Sequence, residues 1–261
     1  MNTGAVMRLE LRRLLVRPLA WVLAALTLAE LAWRFVLLLG NFLGVQIKLA
    51  ALPGGPGFTD MVAVPLLSSL LTGGIVPFGL TELAIVVVPL LTMSTLAGER
   101  GSGTLHLLLA TGTPAWSMVL GKYLAICIWM ALWLGLVLLM PLALAHGTHL
   151  DWGKLAAATI GMMALLAMLT AIGVACSAYA SHPAVAATAS LLLALGLLMV
   201  NLGAQTAGVA NGVIDWLALG THLEALLRGL VTSADLVWFA LVIAVALILA
   251  TWRLGTERRR G

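Results

Sequence analysis

The chain has 261 residues, 62% of them hydrophobic and only 9% charged, with a mean hydropathy of +1.11 and a formal net charge of +4. Soluble domains carry about 25% charged residues, so this composition excludes a water-soluble globular protein and requires lipid as the solvent. The positive charges gather at the two ends, which reads as membrane-flanking segments rather than a nucleic-acid surface.

At about 20 residues per crossing, the length accommodates six helical spans with short loops. No polar stretch is long enough for a separate soluble domain, so residues 1–261 read as a single transmembrane domain. Cys127 and Cys176 lie alone in apolar runs, without a CxxC partner or metal-ligand spacing.

Residues 1–17 read as an amphipathic interfacial helix. Met7, Leu11, Leu14 and Leu15 share one face, and Arg8, Arg12, Arg13 and Arg17 supply the polar side toward anionic headgroups. The apolar stretch that follows is too long for the core of a secretory signal, and no processing site is evident, so an uncleaved anchor is expected. The first span is expected over Leu19 to Leu39. It carries Glu30 and Arg34, four apart in the order that lets them pair on one helix face. Ionisable groups in a span face protein or water, or snorkel to the headgroups.

Residues Pro53-Gly54-Gly55-Pro56-Gly57 form a loop by their turn chemistry. Asp60 and residues 62–71 follow as a short helix expected to lie on the outer surface. The second span, about Ile75 to Leu96, contains Pro77, Glu82 and Pro89. Glu82 serves either as a cap or ion-pair partner near the outer surface or as a group facing a cavity. The third span is expected from Trp116 to Ala145. His146, His149 and Asp151 follow in a loop without the flanking pattern of a metal motif. The fourth and fifth spans are expected over Leu155 to Ala178 and Ala184 to Leu202.

Residues 203–235 are too polar and too broken by glycine to cross. They read as a helical hairpin dipping into the outer leaflet, with His222, Glu224 and Arg228 among its polar residues. The last span, Leu236 to Trp252, ends in Arg253 and a basic tail at Arg258, Arg259 and Arg260.

Six spans put both termini on one side. That side collects Arg8, Arg12, Arg13, Arg17, Arg100, Lys122, Arg253, Arg258, Arg259 and Arg260, against Arg34, Lys48, Lys154 and Arg228 on or near the other. The positive-inside rule then predicts cytoplasmic termini and a cytoplasmic loop at residues 97–113. In that loop Gly98, Gly101 and Gly103 stop the second span from continuing. Ser102 is placed to cap a new short helix, whose Leu105, Leu108 and Leu109 recur at i, i+3 and i+4. Thr111-Gly112-Thr113-Pro114 ends it. The expected shape is a short helix across the inner membrane face, suited to receiving a push from a partner.

Several of these segments carry a family resemblance. Val88-Pro89-Leu90-Leu91-Thr92-Met93, Glu99-Arg100-Gly101-Ser102-Gly103-Thr104-Leu105, Leu107-Leu108 and Gly121-Lys122-Tyr123 resemble the ABC-2 type permease pattern. Supporting stretches are Ala171-Ile172-Gly173 to Ser177, His222-Leu223-Glu224, Leu226-Leu227-Arg228-Gly229 and Asp235-Leu236-Val237-Trp238-Phe239. Within that family the chain is most similar to the gliding-associated small exporter permeases.

The resemblance implies an all-α integral membrane protein of six transmembrane helices, with the N-terminal interfacial helix, a cytoplasmic coupling helix and an outer re-entrant hairpin between helices 5 and 6. It implies a bacterial inner-membrane location. It also implies an ABC ATPase subunit as partner, a second permease copy or homologous permease, membrane lipid, and a periplasmic auxiliary protein where mechanical work is done. Glu99, Arg100, Gly103, Thr104, Leu105 and Leu108 would form the ATPase-coupling element, with Glu99 and Arg100 as polar contacts to the ATPase. The 203–233 hairpin would form an outer gate.

ATP and magnesium would bind the partner ATPase, because a P-loop needs GxxxxGK followed by Ser or Thr, whereas Lys122 is followed by Tyr123 and position 116 is Trp. Lys122 is instead expected to snorkel to the inner headgroups. The chain is therefore not expected to be an enzyme. The competing classes are an ion- or proton-coupled carrier using Glu30, Arg34 and Glu82, which should show an internal repeat, and an intramembrane enzyme, for which no catalytic motif is present.

Overall fold

The computed structural model describes residues 3–50, 55–67, 78–105, 112–207 and 212–260. All regular structure among the described residues is helical: α1 (Thr3–Val16), α2 (Pro18–Ala50), a π-helical turn (Thr59–Ala63) running into α3 (Val64–Leu67), α4 (Leu80–Thr92), α5 (Ala97–Gly101), α6 (Ala115–Ala143), α7 (Trp152–Tyr179), α8 (Pro183–Ala207), α9 (Gly212–Leu217), α10 (Leu219–Leu227) and α11 (Ser233–Arg260). Among the described residues, six segments are long and apolar enough to cross a bilayer: 18–47, 80–101, 115–143, 152–179, 183–200 and 233–258. Helices and closed barrels alone satisfy their backbone groups inside lipid, which is why an apolar chain resolves into such segments.

The helix boundaries follow local chemistry. Pro114 holds an extended conformation just before α6 and Pro183 occupies the first position of α8, where a missing N–H costs nothing. Asp151 caps α7, its carboxylate accepting from the Lys154 backbone N–H at 3.1 Å. Helix α7 is the central element. It packs against α4, α6, α8, α10 and most extensively α11, and its buried face includes Ala158, Met162, Leu165, Leu166 and Leu169. Small residues let its neighbours approach closely, as at helix crossings in membranes. Leu226 of α10 sits 2.8 Å from where a side chain on Gly161 would begin.

Several expectations are corrected. The first span is longer than Leu19 to Leu39, continuing as helix to Ala50. Helix α1 offers only part of its apolar face to the surroundings: Leu14 is buried and Met7 and Leu11 pack on the core beside the base of α6, as does Val6, whereas Leu15 is exposed. The segment after Gly57 is not a surface helix: Phe58, Val62, Leu66 and Leu67 are buried between α2, α4 and α7, and positions 68–71 of that expectation lie outside the described residues. A short apolar helix with no polar face gains most by being covered.

The second span is interrupted. Helix α4 ends at Thr92, residues 93–96 turn, and α5 restarts at Ala97. The last span runs as helix through the basic tail to Arg260. Of the 203–235 hairpin, α9 and α10 are described, and α10 packs on α7 as deep as Gly161.

Helix α2 leaves an apolar groove of about 600 Å³ against α6, lined by Trp21, Leu28, Trp129, Leu132, Trp133 and Leu136. Trp21 and Trp129 meet edge to face at 5.1 Å at one end of it, and the Trp133 indole donates to Thr27 Oγ1 at 3.1 Å.

Candidate functional site

The polar residues of this apolar chain converge at the end of the bundle where α1, α5, the start of α6 and the ends of α7 and α11 meet. Lys122 lies on the first turns of α6 with its side chain only 2% exposed. Its Nζ donates to Glu10 of α1 at 2.6 Å and to Glu99 of α5 at 2.7 Å. Arg13, one turn beyond Glu10, donates to Glu10 at 3.1 Å and to Glu99 at 3.0 Å. The four charges balance, which is the condition for holding them away from water. Glu99 makes both pairs through Oε1. Its Oε2 is buried and has no hydrogen-bond partner among the described residues. A cavity of about 10 Å³, the space of one water, adjoins Glu10, Arg13, Thr95 and Lys122.

Arg100 points the other way. Its guanidinium donates to Glu257 near the end of α11 at 2.8 Å, to the Ala178 carbonyl at 2.7 Å and to the Ala180 carbonyl. Those carbonyls close α7, where the last C=O groups have no helical partner, so a planar cation with several donors both caps α7 and ties it to α11. Arg258, also on α11, reaches back to the Thr113 carbonyl at 3.3 Å. The adjacent Glu99 and Arg100 therefore link α5 to four helices.

The turn that carries them is pinned separately. Ser177 of α7 accepts from the backbone N–H groups of Leu96 and Ala97, each at 3.0 Å, and donates to the Met93 carbonyl at 3.0 Å. One fully buried hydroxyl thus satisfies the backbone groups freed where α4 breaks. Substituting Ser177→Ala leaves two N–H groups and one C=O without partners. The expected cost is about 2–4 kcal/mol, read as a lower unfolding midpoint and faster proteolysis within residues 97–105.

Gly103 has φ +72 and closes α5 in the left-handed conformation that glycine adopts without strain. Thr104 Oγ1 and Ser102 Oγ bond one another at 2.9 Å, and both reach the Glu99 carbonyl at 3.3 Å.

The expected residues can be placed one by one. Glu99 Oε1 and the Arg100 guanidinium are engaged within the chain in opposite directions, while Glu99 Oε2 is buried without a hydrogen-bond partner among the described residues. Ser102 follows α5 as its C-cap, and helix resumes at Thr104. Leu105 is 2% exposed, so it is part of the core rather than a free apolar handle. Leu108 and Leu109 lie outside the described residues. Lys122 does not snorkel: two carboxylates within 3 Å hold it inside.

Glu30 and Arg34 do not form the expected pair. Arg34 is fully buried and donates to the Pro65 carbonyl at 2.6 Å, because the covered 58–67 segment brings that carbonyl to it. Glu82 caps α4, accepting from the Gly79 N–H at 2.8 Å. At the far end, His222 bonds Asp235, and Glu224 pairs with Arg228 one turn along α10. Lys154 reaches Asp60 at 3.0 Å.

The sequence reading missed Glu10, Ser177 and Glu257. Glu10 was hidden among the arginines of α1 and Glu257 in the basic tail. A carboxylate inside each cationic stretch was the available signal. Ser177 gave none, since a serine in a span ordinarily bonds within its own helix.

Six apolar helices around a mostly apolar core define a multi-pass membrane protein. Residues 65–223, more than half of the chain, match the family model described as ABC-2 family transporter protein. The chain belongs to that family and is an ABC transporter permease, the membrane component of a transporter and not itself the catalytic part. No curated protein matches the chain.

Proposed function

We propose that this chain is the permease subunit of an ATP-driven ABC exporter and that the 97–113 segment receives the stroke of a separate ATPase. The observation that supports this reading most is the pair of opposed anchors at residues 99 and 100. A segment that only closed a loop would need neither. Here Glu99 is joined to α1 and α6, and Arg100 to α7 and α11. A displacement of α5 is therefore passed to four helices at once, through ion pairs with two discrete partners rather than through a flexible linker. The two residues act as positioning residues for the coupling segment, and the partner meets the adjoining surface.

On this reading the termini and the 97–113 segment are cytoplasmic in a bacterial inner membrane, as the charge bias requires. Two permease copies, or this chain with a homologous one, stand over two ATPase subunits. ATP and magnesium bind the ATPase, and the α9–α10 hairpin forms the outer gate. The resemblance to the gliding-associated exporters belongs to the same proposal, with either export of a substrate or work on a periplasmic partner as the output.

The test is reconstitution with an ABC ATPase that co-purifies with this chain. The wild-type complex should hydrolyse ATP faster than the ATPase alone. The double substitution Glu99→Ala with Arg100→Ala should abolish that stimulation, while the ATPase keeps its basal rate. Stimulation that survives the double substitution in a correctly folded complex sinks the coupling assignment.

A further inference from the structure

The chemistry of His222 is not used by anything above. It lies on α10, its ring stacked on Trp238 of α11 with centroids 4.6 Å apart and planes 20° apart. Nδ1 is 2.6 Å from Asp235 Oδ1 on α11, and Nε2 is 3.1 Å from the Trp216 carbonyl oxygen on α9. Asp235 Oδ2 is engaged by the Thr232 hydroxyl. A carbonyl oxygen can only accept, and so can an ionised carboxylate. A neutral imidazole owns one N–H and leaves the other nitrogen as an acceptor. Both contacts are hydrogen bonds together only when both ring nitrogens carry protons. A proton shared between Nδ1 and Oδ1 resides on the ring, which is the more basic group. The stacked indole face adds further stabilisation for a cation.

We propose that His222 is a proton-operated latch on the α9–α10 hairpin: as an imidazolium it ties α9 and α11 to α10, and as a neutral imidazole it releases α9. The order of release follows from charge. Turning an imidazole lone pair toward the Asp235 carboxylate is repulsive, so the remaining N–H stays on Nδ1 and the Trp216 carbonyl loses its donor. Proton binding stabilises the closed hairpin. The closed state is therefore the protonated one and is lost when the ring gives up its Nε2 proton.

The described charged side chains of the neighbouring elements are engaged elsewhere. Glu224 and Arg228 on α10 pair with one another. Lys154 on α7 pairs with Asp60. Helix α8 carries no charged residue, α9 contributes Asp215, and the next charge along α11 after Asp235 is Arg253. The proposal concerns the end of the bundle away from the termini and stands independently of any ATPase.

The test is hydrogen–deuterium exchange on the full chain in lipid nanodiscs at about pH 5.5 and about pH 8, either side of the ordinary histidine range, with rates corrected for base catalysis. Amides of 212–217 should lose about tenfold in protection at the higher pH, the scale of one hydrogen bond to a charged group, while α7 stays unchanged. His222→Gln should remove the pH step. Equal wild-type protection at both pH values overturns the latch, as does a step that persists in H222Q. Should H222Q fail to assemble, ring-nitrogen spectra of histidine-labelled wild-type protein decide. A ring with two N–H groups at the lower pH that loses one in step with α9 release supports the latch, and a singly protonated ring there overturns it.

Discussion

Replacing Lys122 with methionine is expected to be among the most damaging single changes in this chain. The substitution keeps the length and the apolar stem of the side chain, so packing against α1 is largely retained. What is lost is the ammonium that bridges Glu10 and Glu99, whose side chains are 12% and 9% exposed. Removing one partner of a buried ion pair leaves its carboxylate without compensation and costs about 3–5 kcal/mol. Arg13 does not offset this, because it is 43% exposed and partly screened by water.

The unfolding midpoint of the purified chain in detergent should fall sharply, and α1 should become accessible to protease. The cost lies in the stranded charge, so Lys122→Met combined with Glu99→Gln should recover a large part of the loss. If the double variant is no better than the single one, the pair is not the source of the instability. Lys122→Arg tests geometry instead. A planar, longer cation in a site closed by Val6 against Gly121 should be tolerated less well than charge alone would suggest.

Gly173→Leu is expected to prevent assembly of the bundle, and Gly173→Ala to weaken it severely. A Cβ at residue 173 of α7 would sit 2.1 Å from Thr92 Oγ1, 2.8 Å from Thr92 Cβ and 3.0 Å from Thr92 Cγ2. A rotamer change cannot clear all three atoms, because Thr92 Cβ moves only with the α4 backbone. The hydroxyl is also held by the Val88 carbonyl at 2.9 Å and the Pro89 carbonyl at 3.2 Å. The helices must therefore separate where Gly173 meets Thr92. Overpacking of this kind costs about 1–3 kcal/mol or more for a single methyl, and far more for an isobutyl group.

The crossing lies one turn from Ser177 and its bonds to the turn at residues 93–97, so Gly173→Ala should also raise proteolysis at residues 97–105. Adding Thr92→Gly to Gly173→Ala should restore the close approach, less about 1 kcal/mol for glycine in a helix. Failure of that rescue would mean that α4 and α7 do not meet at this point.

The readable part of the fold was the part fixed by solvent. Apolar runs of about 20 residues have one outcome in lipid, so the six spans were placed in order, the third, fourth and fifth closely, while the first runs on as helix to Ala50 rather than ending at Leu39 and the last continues beyond Trp252. The errors fell where an apolar or charged segment had two ways to be satisfied. Val62, Leu66 and Leu67 are consistent with a helix lying on lipid or buried in protein, and only the space between α2, α4 and α7 decides. Lys122 had headgroups or carboxylates to choose from, and Glu10 and Glu99 arrive from positions 112 and 23 residues away. Arg34 had Glu30 on its own helix, yet the Pro65 carbonyl reaches it first.

The same division runs through the candidate site. Glu99, Arg100 and Gly103 stood out because charge and glycine interrupt an otherwise apolar chain, and that composition alone puts them at a water boundary. Their partners did not stand out. Glu257 is brought to Arg100 by the end of α11 and Ser177 to the backbone of Leu96 and Ala97 by the end of α7, and no local pattern encodes a contact 157 or 80 residues away. By itself the sequence determined the membrane class, the six crossings and the end of the bundle that gathers the charge, because each follows from transfer between water and lipid. The tertiary structure alone decided that the charged segment is bolted to four helices, since that depends on which buried groups find one another in space.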